Sequence, residues 1–309
     1  MKSNKTKWLI SATSVICLWG VASAQGTPPD SVEKSPPTVA MPFFVDDGRG
    51  NAMTEIALAD LSILDDKKAP QRVVVIHTAK DMPLRLGLLI DNSGSQRGSG
   101  LYAAGAKAAF DFLNSVFSGP DDKVFVAGFA KESGGTGFLN KGDFLKLRFT
   151  LAPAGGTALY DAIQFASAER MAADSIQPAR RVLVILTDGD DNKSHISLAS
   201  AIASAQNSET VIFTVGTGAR YQRSPFETID VDTVLEQLAS ETGGLSFSGL
   251  APKDLPRVFA TIKARIDHLD SVSYVPAEAT RHFHSVELKI ASDKKWKIHV
   301  AKGYIPTAQ

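Results

Sequence analysis

Cysteine is almost missing from this chain: Cys17 stands alone among 309 residues. One thiol excludes an intrachain disulfide framework and a cysteine-rich zinc site. An excess of charge is missing too, with 33 Lys+Arg against 33 Asp+Glu, so the basic footprint of a nucleic-acid binder is absent. Past the N-terminal segment no stretch approaches the ~18 uninterrupted apolar residues that mark a membrane span. Neither His-Glu-x-x-His nor Gly-x-Ser-x-Gly occurs, which removes the zinc-protease and hydrolase-elbow signatures. Gly100 to Lys107 has the outline of a phosphate loop, but Ala106 stands where Lys is required. Asp188 cannot open an EF-hand, because Lys193 takes the glycine position and Ala199 the closing glutamate.

What is present is ordinary globular material, 44% apolar and 21% charged, long enough for one or two domains at about 150 residues each. The first segment reads as an address. Lys2, Lys5 and Lys7 precede the apolar stretch Trp8 to Ala24, which ends in Ala22-Ser23-Ala24. That is the layout of a secretory signal peptide cleaved after Ala24. Two alternatives are a retained anchor, although ~20 apolar residues are normally needed to span, and a lipoprotein, although Ile16 before Cys17 is large for lipid attachment. Cleavage removes the three lysines, leaving 30 bases against 33 acids, and with them the only Cys. A thiol-free exported product fits an oxidising compartment, periplasmic or extracellular, with no membrane span left after cleavage.

Residues 25–40 hold Pro28, Pro29, Pro36 and Pro37 and no aromatic residue, the composition of a flexible linker. Residues 41–82 read as an N-terminal β segment. Phe43-Phe44-Val45 is followed by the turn signal Asp46-Asp47-Gly48, and Leu61–Leu64 and Arg72–His77 flank a polar turn as a hairpin would. Residues 83–270 change rhythm. Strand-like runs at 84–90, 123–129, 144–151, 181–187, 210–215 and 245–248 alternate with helical spacing at 101–117, 158–173, 198–206, 231–240 and 255–269. Continuous apolar strands between helices predict an α/β fold: a doubly wound, mostly parallel sheet covered on both faces. Residues 271–309 return to strands (272–275, 284–290, 296–300) with a turn at Asp293-Lys294. The two β flanks are expected to pair into one small sandwich-like module with the α/β domain inserted; two independent β appendages are the alternative.

Ligands of open α/β sheets sit at the carboxyl ends of the strands. The first parallel strand ends in Asp91-Asn92-Ser93-Gly94-Ser95, the 181–187 strand in Asp188, and between them Gly155-Gly156-Thr157-Ala158-Leu159-Tyr160-Asp161 opens a helix. Two carboxylates and three hydroxyls at one rim suit a hard divalent cation, Mg2+ first, with Mn2+ and Ca2+ as alternatives. The serines could instead cap the following helix. Asp161 could support the ligands or simply be a helix-start acid, and Asp190 and Asp191 read as a solvated loop. His282 and His284 share one face of a strand; His299 could join them in a second metal site, although solvated strand residues are the plainer reading. Arg220 to Arg223, with Tyr221, read as a surface loop.

Asp91-x-Ser93-x-Ser95 after a buried strand, Thr157 in the Gly-rich loop and Asp188 after a second strand together resemble a von Willebrand factor A (VWA) domain over roughly Leu84 to Leu269. They match its metal-ion-dependent adhesion site (MIDAS). The β flanks and the ending Lys302-Gly303-Tyr304 resemble an exported bacterial subgroup, the VWFA-related proteins described from acidobacteria. The resemblance implies that Ser93, Ser95 and Thr157 donate hydroxyl oxygens to the cation and that Asp91 and Asp188 contact it directly or through water. The ion then accepts a carboxylate from a protein or peptide partner, which makes the chain a binding module and not an enzyme. The competing functions are a structural scaffold in an envelope complex and a metal-dependent hydrolase. The resemblance also implies a last helix that can shift when the metal site engages ligand; because that helix runs straight into the C-terminal strands, metal occupancy is expected to be coupled to the orientation of the β module.

Overall fold

The computed structural model describes residues 38–53, 56–94, 100–130, 133–148, 155–188, 191–217, 231–278, 280–290 and 296–306. The expected signal peptide, Ser95, Asp190, Arg220 to Arg223 and the Asp293-Lys294 turn lie outside them.

Three strands come first: β1 (Val39–Asp46), β2 (Leu61–Asp65) and β3 (Arg72–His77). Then follow β4 (Leu84–Asp91), α1 (Gly100–Ser115), β5 (Lys123–Phe129), β6 (Ser133–Gly135), α2 (Lys141–Lys146), α3 (Leu159–Gln164), β7 (Arg180–Thr187), α4 (Leu198–Asn207), β8 (Thr210–Gly216), α5 (Val231–Glu241), β9 (Ser246–Phe247) and α6 (Leu255–Ile266). The chain closes with β10 (Asp270–Val275), β11 (His284–Ile290), β12 (Lys297–Val300) and β13 (Gly303–Tyr304).

The central sheet has the order β6-β5-β4-β7-β8-β9. Its β4–β5, β4–β7, β7–β8 and β8–β9 pairs are parallel and its β5–β6 edge antiparallel. Every residue of β4 and of β7 is buried, as a parallel sheet covered on both faces requires. Alternation sorts the side chains. Leu86, Leu88, Ile90, Val182, Val184 and Leu186 join Phe112, Leu113, Phe259 and Ile262 of α1 and α6 on one face. Leu89, Leu183 and Ile185 join Leu159, Ile163, Ala201, Leu235 and Leu238 of α3 to α5 on the other. At Gly87 an added Cβ would collide with Phe125 and would lie 2.6 Å from Leu183 Cδ2. The α/β expectation, with its mostly parallel sheet and accompanying antiparallel strands, is therefore met.

Two local expectations fail. Phe144 belongs to α2 and not to a strand. Asn140 caps that helix by accepting the Asp143 amide at 3.0 Å, and Phe144 is its one buried side chain. Nor do β2 and β3 form a hairpin. β2 pairs with β11 and β3 with β10. The turn between them is tight, with Asp65 and Lys68 exchanging two 2.9 Å backbone bonds, but it carries the chain from one sheet to another.

Those two sheets are β12-β1-β10-β3 and β13-β11-β2. They enclose Met41, Phe43, Val45, Ile63, Val272, Tyr274, Val286 and Leu288. β1 pairs antiparallel with both β10 and β12. Phe44, on the opposite face of β1 from Phe43, enters the core of the central sheet. It stacks on His299 at 4.4 Å and lies under the Arg265 guanidinium at 5.6 Å. Arg265, buried on α6, also pairs with Asp46 at 3.7 Å and donates to the Gly50 carbonyl. No helix among the described residues is long and apolar enough to cross a membrane.

Candidate metal centre

β4 and β7 are neighbours in register, Ile90 facing Leu186. Their carboxyl ends therefore deliver Asp91 and Asp188 to the same rim. Asp91 is wholly buried. Its Oδ1 accepts the Ser93 amide at 2.8 Å and its Oδ2 accepts the Thr187 hydroxyl at 2.8 Å. Burial pushes the Asp91 carboxyl above its ordinary range; the negative charge of Asp188 adds to the push, and the hydrogen bonds from Ser93 and Thr187 oppose it. Ser93 and Thr157 are also buried, Asp188 only partly.

Thr157 is placed by backbone contacts. Its carbonyl accepts the Asn192 and Lys193 amides, both at 3.0 Å, and its own amide donates to Asn192 Oδ1 at 3.1 Å. Gly156 precedes it at φ 77, a left-handed turn in which an added Cβ would press on Lys193 Cγ. Ala158 donates to the Ala130 carbonyl at the end of β5. The Gly-rich loop is thus fastened on one side to the segment after β7 and on the other to β5.

The two neighbouring acids serve that fastening. Asp161 accepts the His195 and Ile196 amides at 2.9 and 3.2 Å and meets His195 Nδ1 at 2.7 Å. Burial opposes its charge, but the bonds from His195 and Ile196 prevail and hold its carboxyl below the usual range. Asp191 is half-buried and not a solvated loop acid. It accepts the Tyr160 amide at 3.0 Å and the Ser194 hydroxyl at 2.5 Å. Asn192 and Thr187 escaped the sequence reading. Thr187 could have been found, since the register that sets Ile90 against Leu186 sets the next residues, Asp91 and Thr187, side by side. Asn192 carried no such signal.

The histidines divide. His284 is buried and bonded to Asp65, whereas His299 bonds Asp46 Oδ2 at 2.9 Å in the other sheet. His299 does not join the pair.

The family model for the von Willebrand factor type A domain matches residues 86–254. The chain belongs to that family. Among solved structures it is similar to a von Willebrand factor type A protein from Catenulispora acidiphila (15% identity, 79% of this chain and 72% of that one, TM-score 0.49). It is also similar to proximal thread matrix protein 1 from the mussel byssus, solved with a zinc-occupied MIDAS motif (18%, 64% and 48%, 0.49). A third is an aerotolerance-related membrane protein from Bacteroides fragilis (18%, 60% and 98%, 0.44). No curated protein matches this VWA chain.

The donor set at the VWA rim can be tested against a cation. Asp91, Ser93, Thr157 and Asp188 offer only oxygen, and the described hydrogen-bond donors to Asp91, on Ser93 and Thr187, are neutral. A buried carboxylate met by neutral donors beside a second acid fits a hard divalent ion.

Proposed function

We propose that this VWA chain holds a divalent cation through Asp91, Ser93, Ser95, Thr157 and Asp188, and through it binds a protein or peptide that presents an acidic side chain. The observation that carries the reading is the wholly buried Asp91 at the end of β4, set beside Asp188 at the end of β7. Mg2+ is the first choice, with Mn2+ and Ca2+ compatible with the same oxygens. When bound, the cation supplies a Lewis-acidic position for the partner's carboxylate. The chain's own residues do the rest. Thr187 and the Ser93 amide orient Asp91. Asn192 and Gly156 set Thr157. Asp161 and Asp191 hold the flanking loops still. These groups position and do not act as nucleophile or base, so the proposed role is binding and not catalysis.

The proposal extends to organisation. Residues 1–24 direct export, to a periplasm or beyond, and 25–40 form a linker. Residues 41–82 and 271–309 make one β module around the VWA domain at 83–270. Calorimetric titration of Mg2+, Mn2+ and Ca2+ into protein beginning at Gln25 tests the site. Wild type is expected to bind, and Asp91→Ala and Thr157→Ala to lose binding. Equal binding by both variants overturns the assignment. A partner held equally well by Asp91→Ala and in chelator would favour a scaffold whose metal site is not adhesive.

A further inference from the structure

A second constellation lies on the smaller sheet of the β module, at the turn after β2. Asp66 and Lys67 both take left-handed backbone, φ 48 and 65, the combination of a tight two-residue turn. The turn is bound to β11: the Asp66 amide donates to the Ser285 carbonyl at 2.9 Å, and Asp66 Oδ1 accepts the Ser285 amide and hydroxyl at 2.9 and 3.1 Å. This commits Oδ1. Oδ2 faces two imidazoles, 3.5 Å from His282 Nε2 and 3.4 Å from His284 Nδ1.

The two rings are nearly parallel, centroids 5.1 Å apart, and His284 also stacks with Tyr304, at 5.1 Å. Beneath them Asp65, buried, meets His284 Nδ1 with Oδ1 at 2.7 Å. Its Oδ2 accepts the Tyr274 and Tyr304 hydroxyls at 3.0 and 2.8 Å. A carboxylate on Nδ1 fixes the tautomer and orientation of a histidine whose Nε2 is then the ligating atom. That Nε2 meets Thr280 Oγ1 at 2.6 Å, and the same oxygen is 3.2 Å from His282 Nε2. The Thr280 hydroxyl thus lies within hydrogen-bonding reach of both Nε2 atoms. One ligand atom from each of Asp66, His282 and His284 lies within 4.8 Å of the other two.

We propose that Asp66, His282 and His284 form a zinc site, with Asp65 as the residue that positions His284. Two imidazoles and one carboxylate suit Zn2+, whose tetrahedral sites accept nitrogen and oxygen at about 2.0–2.2 Å; Mg2+ prefers oxygen alone. The set is therefore chemically distinct from the all-oxygen rim of the central sheet. His282 is 65% exposed and Asp66 35%, so the fourth position faces solvent and takes water or an external ligand. Binding joins the β2–β3 turn to the segment before β11.

The test is titration of Zn2+ into the full chain in excess Mg2+, with His282→Ala, Asp66→Asn and Asp91→Ala alongside. The expected result is one Zn2+ per chain, affinity weakened at least tenfold by His282→Ala and by Asp66→Asn, and retained in Asp91→Ala. Zinc should also shift the His282 and His284 ring proton resonances of the unmutated chain, a readout that needs no variant to fold. Absence of zinc binding, or binding that survives both His282→Ala and Asp66→Asn, overturns the proposal. It would leave the cluster as hydrogen bonding around Asp65. Because the oxygen rim is scored separately through Asp91→Ala, failure of one site does not read as failure of the other.

Discussion

Asp91→Asn should have opposite consequences in metal-free and metal-loaded protein. Asn is close in shape to Asp, and its carbonyl can still accept the Ser93 amide that now lies 2.8 Å from Oδ1. Its amide can donate to the Thr187 hydroxyl now bonded to Oδ2. The substitution thus keeps the local hydrogen bonding and removes a charge that is 0% exposed and lies within the field of Asp188. Removing one of two neighbouring like charges, the buried one, should stabilise the metal-free protein by about 1–3 kcal/mol. With cation present the balance reverses. A ligand at a thousandfold excess over its Kd contributes about 4.1 kcal/mol to the wild type, roughly 6–8 °C in Tm for a chain of this size, and the Asp91→Asn variant forfeits it. Differential scanning calorimetry in chelator and in saturating Mg2+ would read both arms. The expected pattern is a crossing: the variant melts higher than wild type in chelator and lower in Mg2+. A variant that melts lower in both conditions would show Asp91 to be a structural cap. A variant that Mg2+ stabilises as much as wild type would remove Asp91 from the site.

Other outcomes follow from single contacts. Asp122 is buried and accepts the Leu84, Ser118 and Gly119 amides, each at 2.7 Å. Burial works against its charge, yet those bonds keep its carboxyl below the ordinary range. Its stabilising contribution is therefore complete above the unfolded carboxylate pKa and fades as pH falls through the lower folded value. Asp122→Ala should cost about 3 kcal/mol at neutral pH and flatten the acid limb of the stability profile, measured by urea unfolding from pH 2 to 7; an unchanged limb refutes the assignment. Gly87→Ala should cost about 1–3 kcal/mol, because its Cβ would meet Phe125 and Leu183; an unchanged unfolding midpoint would refute it. Arg265→Ala leaves Asp46 with His299 as its described ion-pair partner and should cost about 3 kcal/mol. A cost below about 1 kcal/mol in urea unfolding would show the pair to be incidental. Hydrogen exchange across residues 255–275 is expected to change when cation and partner are both bound; unchanged exchange there counts against coupling through α6.

The central sheet was legible because β4 and β7 are buried from end to end and so appear as unbroken apolar runs. Asp91, Ser93 and Thr157 stood out for a related reason, since residues that follow such runs or open the next helix are expected at the carboxyl rim of the sheet. The failures are of two kinds. Phe144 looked like strand because its neighbours are apolar, while a single Asn140 cap decided for helix. The rest concern partners distant in sequence. β2 and β3 look paired, but each has its true partner some 200 residues on, in β11 and β10. His284 and His299 look alike on paper, yet their carboxylates, Asp65 and Asp46, are 219 and 253 positions away on different strands. Local pattern carries no information on such pairs, so the strand order of the two antiparallel sheets and the cluster around Asp65 became visible only in three dimensions.

The closure of β1 against β10 and β12 also orders events in time. Val39–Asp46 leaves the ribosome early, but its described sheet partners, Asp270–Val275 and Lys297–Val300, leave more than two hundred residues later. Until then Met41 and Phe43, both buried between the antiparallel sheets in the finished fold, have no sheet to enter. The parallel sheet draws its strands from residues 84 to 247 and can assemble meanwhile. Long-range strand pairing of this kind is slow and leaves unpaired edges exposed. Nascent chains stopped just before Asp270 should therefore show a protease-resistant central sheet with residues 39–77 still open to cleavage and to holding chaperones, and that vulnerability should vanish once β10 to β13 are added.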